Sequence, residues 1–143
     1  MDRYNAEGYP DPTAYNALSA IERDERAKPY LPLVYIASPF AGDMERNLER
    51  ARGYCRLAVS KGCIPLAPHL LYPQFMDDET SETRELGIFF ALVLLGKCDE
   101  IWVFGERISE GMSREIAKAE RRGISVRYWN SRCEEVRVNG ASR

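Results

Sequence analysis

Four short apolar runs divide this chain, and helix-length segments separate them. The runs are Leu33 to Ala37 (LVYIA), Cys63 to Ala67 (CIPLA), Ile101 to Phe104 (IWVF) and Ile124 to Trp129 (ISVRYW). The first, LVYIA, is continuous rather than alternating, which marks a parallel strand buried on both faces. The intervening segments carry the other period. From Asp43, a cap, to about Lys61, the residues Leu48, Ala51, Cys55 and Ala58/Val59 recur as a helical inner stripe, and Gly62 supplies a stop. Thr83 to Leu95 repeats Leu86, Phe89, Phe90, Val93 and Leu94 at three and four and ends at Gly96, so this helix is expected to be deeply buried or part of a subunit interface. Met112 to Arg122 forms a further helix, stopped by Gly123. Strands alternating with helices through short links predict an α/β fold, a flavodoxin-like (Rossmann-like) doubly wound parallel sheet of four to five strands in three α/β/α layers. The first strand is expected to be central, and a fifth strand is at most a short one at Glu135 to Val138.

Residues 33–130 hold this pattern, and 143 residues suit one such domain. Residues 1–32 read as an N-terminal extension with a helix over 13–28, where Ala14, Leu18 and Ile21 share a side and Pro29 and Pro32 follow. Residues 70–82 read as a loop, and 131–143 as a polar tail. There is no internal repeat.

Composition narrows the partners. Hydrophobic residues make up 45%, enough for a core, and the net charge of −2 gives no electrostatic reason to expect nucleic acid or an anionic membrane. A mononucleotide needs only local donors. No apolar run approaches the ~18 residues of a spanning helix, and the opening MDRYNAEGYPDP has no apolar core of a signal peptide, so a cytoplasmic location is expected. Cys55, Cys63, Cys98 and Cys133 show no CxxC pairing and read as free thiols. With His69 the only histidine, a histidine-based metal site is not expected. Carboxylate-bound magnesium stays open, and no cofactor is called for.

The chemistry gathers in Cys98 to Ala119, CDEIWVFGERISEGMSREIAKA. A strand, a loop and a helix succeed one another there, and open α/β sheets bind ligands beyond the carboxyl ends of their strands. Glu115 reads as a first-turn helical carboxylate, favoured as an anion by the macrodipole. That suits a nucleophile in retaining glycosyl transfer, and equally an ordinary helix-stabilising acid. Ser109, Gly111 and Met112 offer a hydroxyl and backbone amides for an anion, or a plain N-cap. Ser38, Pro39, Phe40 and Gly42 form the loop after the first strand. Tyr35 lies within that strand and His69 at the end of the second, where a donor or general acid is useful. Phe40, Tyr72, Phe75 and Trp102 can wall an aromatic base, with Trp102 better suited to the core. Asp99 opens the third strand far from the crevice and reads as structural. The chain has no P-loop, GxGxxG or GxSxG.

From about Val34 to Val126 the chain resembles the nucleoside 2-deoxyribosyltransferase superfamily, which includes N-glycosidases of nucleoside 5′-monophosphates. The resemblance is strongest to its small, uncharacterised bacterial and phage members. VYIASPFAG is similar to the family's opening strand and loop, LAPH to the end of its second strand, and CDEIWVF with ISEGMSREIAKA to its strand–loop–helix motif. The resemblance implies Glu115 as the nucleophile that attacks C1′, with Tyr35 and His69 in the active site. Ser109 falls where the monophosphate enzymes bind phosphate and the nucleoside enzymes carry Asp, which tilts the ligand towards a 5′-phosphate. Ser38, Pro39, Phe40, Gly42, Gly111 and Met112 would complete the cradle, and a homodimer or larger homo-oligomer is implied. Two positions depart. The family's second carboxylate is absent from the apolar stretch Phe89 to Leu92, leaving Asp77, Asp78, Glu82 or Glu85 as substitutes. Its first-loop arginine is replaced near Ala41, leaving Arg46 to reach in. The function implied is hydrolysis or transfer at an N-glycosidic bond. The alternatives are a non-catalytic nucleotide-binding module and a structural partner protein on the same fold.

Overall fold

The computed structural model describes residues 30–77 and 79–137. The boundary between the chain's two units falls after Tyr30, and the architecture below belongs to the second. The helix expected over 13–28, the residue Asp78 and the strand end at Val138 lie outside the described residues.

The five strands are β1 (Leu33–Ala37), β2 (Ile64–Leu66), β3 (Glu100–Phe104), β4 (Ser125–Trp129) and β5 (Glu135–Val136). They form one sheet in the order β2-β1-β3-β4-β5. The first four are parallel and β5 returns antiparallel to β4. This is the expected flavodoxin-like arrangement, with β1 inside the sheet: Tyr35 stands between Leu66 on one side and Ile101 on the other. The helices are α1 (Met44–Ser60), α2 (Pro68–Leu71), α3 (Ser81–Leu95) and α4 (Glu110–Arg121), with a 3₁₀ turn at Tyr72–Gln74.

Strand alternation sorts the apolar residues into two cores. Tyr35, Ala37, Ile101 and Val103 face Leu95 of α3 and Met112 and Ala119 of α4. Val34, Ile36, Trp102 and Phe104 face Tyr54 and Ala58 of α1, together with Trp129. The inner stripe of α1 is therefore Ala51, Tyr54 and Ala58, while Val59 is exposed. Tyr54 stacks on Phe104, 4.0 Å between ring centroids and nearly parallel. Trp102 is fully buried on this α1 side, as a core residue.

Polar groups tie the strands. Asp99 accepts from the Leu33 amide at 2.8 Å, joining the start of β1 to β3, a structural role as expected. Arg127 makes two 2.8 Å bonds to Glu135 and reaches Glu100 at 3.3 Å, spanning β3, β4 and β5. All four cysteines are free.

Two expectations are corrected. The segment 70–82 is not one loop: Pro68 opens α2, Pro73 sits early in the 3₁₀ turn, and α3 starts at Ser81 behind a Thr80 cap. Proline suits a first helical turn because its missing N–H has no partner there anyway. And α3 is not deeply buried. Only Leu95 is, while Leu86, Phe89 and Val93 are exposed. Among the described residues no helix is long and apolar enough to cross a membrane.

Candidate functional site

In this strand order the links after β1 and β3 leave towards opposite layers, opening a crevice at the carboxyl ends of the two strands. A cleft of about 230 Å³ occupies it on the α3/α4 side. Tyr35 enters its floor because odd positions of β1 face α4. There the Tyr35 hydroxyl donates a short hydrogen bond to Glu115 Oε2.

Glu115 does not lie in the first turn of its helix. Ser109 caps α4, its Oγ accepting from the Met112 amide at 3.2 Å, so the helix begins at Glu110 and the first-turn acid is Glu110 itself. The macrodipole fades within one turn, and another influence governs Glu115. Burial raises its pKa from the ordinary 4.5 to about 7, with the Tyr35 hydrogen bond pulling the other way. The Tyr35 pKa is held well above its usual range, by burial first and the neighbouring carboxylate second, so Tyr35 stays a neutral donor.

His69, in α2, pairs its Nε2 with Ser38 Oγ at 3.1 Å and lies tilted against Phe40, 5.7 Å between ring centroids. Burial lowers its pKa to about 4, so it is a neutral hydrogen-bonding group at pH 7 and a poor proton reserve. Phe40 and Tyr72 form the aromatic wall. Tyr72 is braced by Phe90 at 5.5 Å and edge-on by Phe75 at 5.7 Å.

The cleft brings together Tyr35, Ser38, Phe40, His69, Ser109, Gly111, Met112 and Glu115. Met112 contributes less than expected: its side chain is core and its amide already serves the cap. Since Ser113 bonds the Ser109 carbonyl, the amides of Glu110 and Gly111 are the first-turn donors left without a helix acceptor. Pro39 and Gly42 stand apart. Pro39 turns to a neighbouring cavity and Gly42 is exposed. Arg46 is not among the lining residues, nor are Glu82 and Glu85, the latter 3.9 Å from Arg114. Among the described substitute carboxylates, Asp77, Glu82 and Glu85, it is Asp77 that lines the cleft, at its exposed rim.

Two contributors escaped the sequence reading. Asn47 donates to the carbonyls of Phe40 (3.1 Å) and Ala41 (2.9 Å) and so holds the loop after β1. Arg84 lines the cleft from the α3 face that also carries Thr83, Gly87, Ile88 and Ala91. Two small residues inside an otherwise bulky apolar helix were the available signal for that face.

A flavodoxin-like α/β domain with a buried Tyr–carboxylate pair at its topological switch point is the class these features define. The family described as a domain of unknown function, DUF7768, matches residues 32–129, and the chain belongs to it. No curated protein sequence matches the chain. Among solved structures it is similar to a 2-deoxyribosyltransferase from the psychrotolerant bacterium Bacillus psychrosaccharolyticus, with a TM-score of 0.56 over 75% of this chain and 77% of that one. Sequence identity is 17%, so the likeness is one of fold.

Proposed function

We propose that this protein acts on the N-glycosidic bond of a nucleoside 5′-monophosphate or nucleoside, as a hydrolase or a transferase. The carrying observation is the buried Tyr35–Glu115 pair on the floor of the cleft. The ionised Glu115 Oε attacks C1′, the C1′–N bond breaks, and its electron pair leaves with the base, which takes up a proton. The glycosyl ester left on Glu115 is then opened by the oxygen of water or the nitrogen of a second base, which loses a proton as the carboxylate is restored. Tyr35 orients Glu115 and keeps part of it ionised at neutral pH. Asp77, at the rim, is the candidate to protonate the departing base. Phe40 and Tyr72 flank the base. Ser109 and the open amides of Glu110 and Gly111 receive the 5′-phosphate, which a helix N-terminus favours. The fold shared with a 2-deoxyribosyltransferase supports nucleoside chemistry here.

The test is incubation with a panel of ribo- and deoxyribonucleoside monophosphates and nucleosides, with and without an added acceptor base. Free or exchanged base is expected from the wild type and should be lost in Glu115→Ala. Tight nucleotide binding with neither release nor exchange would leave the non-catalytic binding reading in its place.

A further inference from the structure

A second cavity, about 400 Å³, opens on the opposite side of the switch point, between α1 and the loop after β3. Its α1 wall is Asn47, Arg50 and Tyr54, positions i, i+3 and i+7 on one helix face. Its other wall brings Arg107 and Glu106, which follow Gly105. Gly105 takes φ +102, a conformation that side chains avoid, and a Cβ there would face the Pro39 ring.

Three features point to an anionic ligand. Arg50 and Arg107 line the cavity, and neither forms an ion pair with a carboxylate among the described residues. Tyr54 lines the cavity, and its hydroxyl has no hydrogen-bond partner among the described residues. That hydroxyl is not sealed from solvent, so it is open to a ligand. Two guanidinium forks and a phenol match the three terminal oxygens of a phosphate. Glu106 offsets one of the two positive charges and so moderates the attraction. The cavity meets the cleft at Ser38, which lines both.

We infer that this cavity is a phosphate subsite, distinct from the Ser109 end of the cleft and joined to it at Ser38. The phosphate is either free or carried by the ligand of the cleft, in which case this subsite rather than Ser109 receives the 5′-phosphate. The inference stands independently of glycosyl transfer, since a phosphate titration reads it without turnover.

The experiment is calorimetric titration of the full-length chain with inorganic phosphate at low ionic strength. Millimolar or tighter binding is expected, weakened about tenfold by Arg50→Ala or Arg107→Ala and several-fold by Tyr54→Phe. Glu106→Gln should tighten it, and added salt should weaken it. Glu85→Gln, which lines neither cavity, should leave it unchanged. No phosphate binding by the wild type would overturn the inference, as would binding kept at full strength in both arginine variants. A nucleoside monophosphate compared with its nucleoside separates the sources. If Arg50→Ala/Arg107→Ala abolishes the advantage of the monophosphate, the phosphate arrives on the cleft ligand. If that advantage survives while inorganic phosphate binding is lost, the subsite takes free phosphate.

Discussion

Glu115 is held between opposing influences, and their balance sets when it can react. Burial favours its protonated form, while the Tyr35 hydroxyl favours the carboxylate. With the pKa at about 7, attack on C1′ needs the deprotonated form, so kcat/KM should climb as pH rises through 7. Tyr35→Phe removes the hydrogen bond that lowers this pKa. The midpoint should then move upward by roughly one to two units, because a hydrogen bond to a charged group is worth about 1.5–3 kcal/mol and one unit is about 1.4. A pH–rate profile of both proteins checks the sign: a midpoint that fell in Tyr35→Phe would remove Tyr35 from any role in ionising Glu115. The pair itself was legible only through resemblance. Nothing local distinguishes Tyr35 from a packing tyrosine, since its partner is 80 residues away. The environment of Glu115 was misjudged for a definable reason. Its helix starts with Glu110 rather than Met112, because Ser109 extends the capped turn towards the strand.

At the scale of elements, α4 asks two things of Ser109: a cap and a place in the cleft. Substitutions separate them. Asp caps a helix as well as Ser does, whereas Ala forfeits about 0.5–2 kcal/mol. Ser109→Asp should therefore melt with the wild type, yet bind a nucleoside monophosphate about tenfold more weakly through charge repulsion and leave nucleoside binding nearly unchanged. Ser109→Ala should show the reverse, a lower melting temperature with the monophosphate preference largely kept by the amides of Glu110 and Gly111. Thermal melts beside the two titrations decide. Equal losses for nucleoside and monophosphate in Ser109→Asp would remove Ser109 from the phosphate site. The central strands β1 and β3 were readable because burial on both faces writes itself as continuous apolar runs, while β2 and β4 are only partly buried and read through their place between helices. The stretch after β2 was not, since Pro68 and Pro73 look like breakers in a sequence although first-turn positions accept them. The contribution of Asn47 was equally hidden, because an amide on a helix says nothing of the carbonyls that a preceding loop will present to it.

For the whole molecule, α3 is the element whose surroundings are unfinished. One face packs on the sheet through Leu95, with Ala91 and Leu92 beside it, and a second lines the cleft through Thr83, Arg84 and Gly87. The third presents Leu86, Phe89 and Val93 to solvent, spaced i, i+3 and i+7, with Phe89 60% exposed. Hydrophobic periodicity identified the helix but could not say which copy of the chain covers it, because an apolar stripe looks alike facing a core or a neighbour. A row of large side chains along one helix suits a two-fold contact, in which the same row meets itself. Phe75, 66% exposed and edge-on to Tyr72, would extend that contact towards the aromatic wall of the cleft. The expected assembly is therefore a homodimer through α3, with the partner close to where the base is proposed to sit. Sedimentation equilibrium at micromolar concentration should give twice the chain mass, and Phe89→Glu should give a monomer, because a charge buried without a partner is strongly disfavoured. Exposed in the monomer, that glutamate should leave the melting of the domain itself little changed. If the contact also shapes the cleft, Phe89→Glu should lower base release and raise the apparent KM, whereas a dimer remote from the site would leave both unaltered. A wild-type chain that sediments as a monomer at every concentration would show that α3 meets some other partner or none.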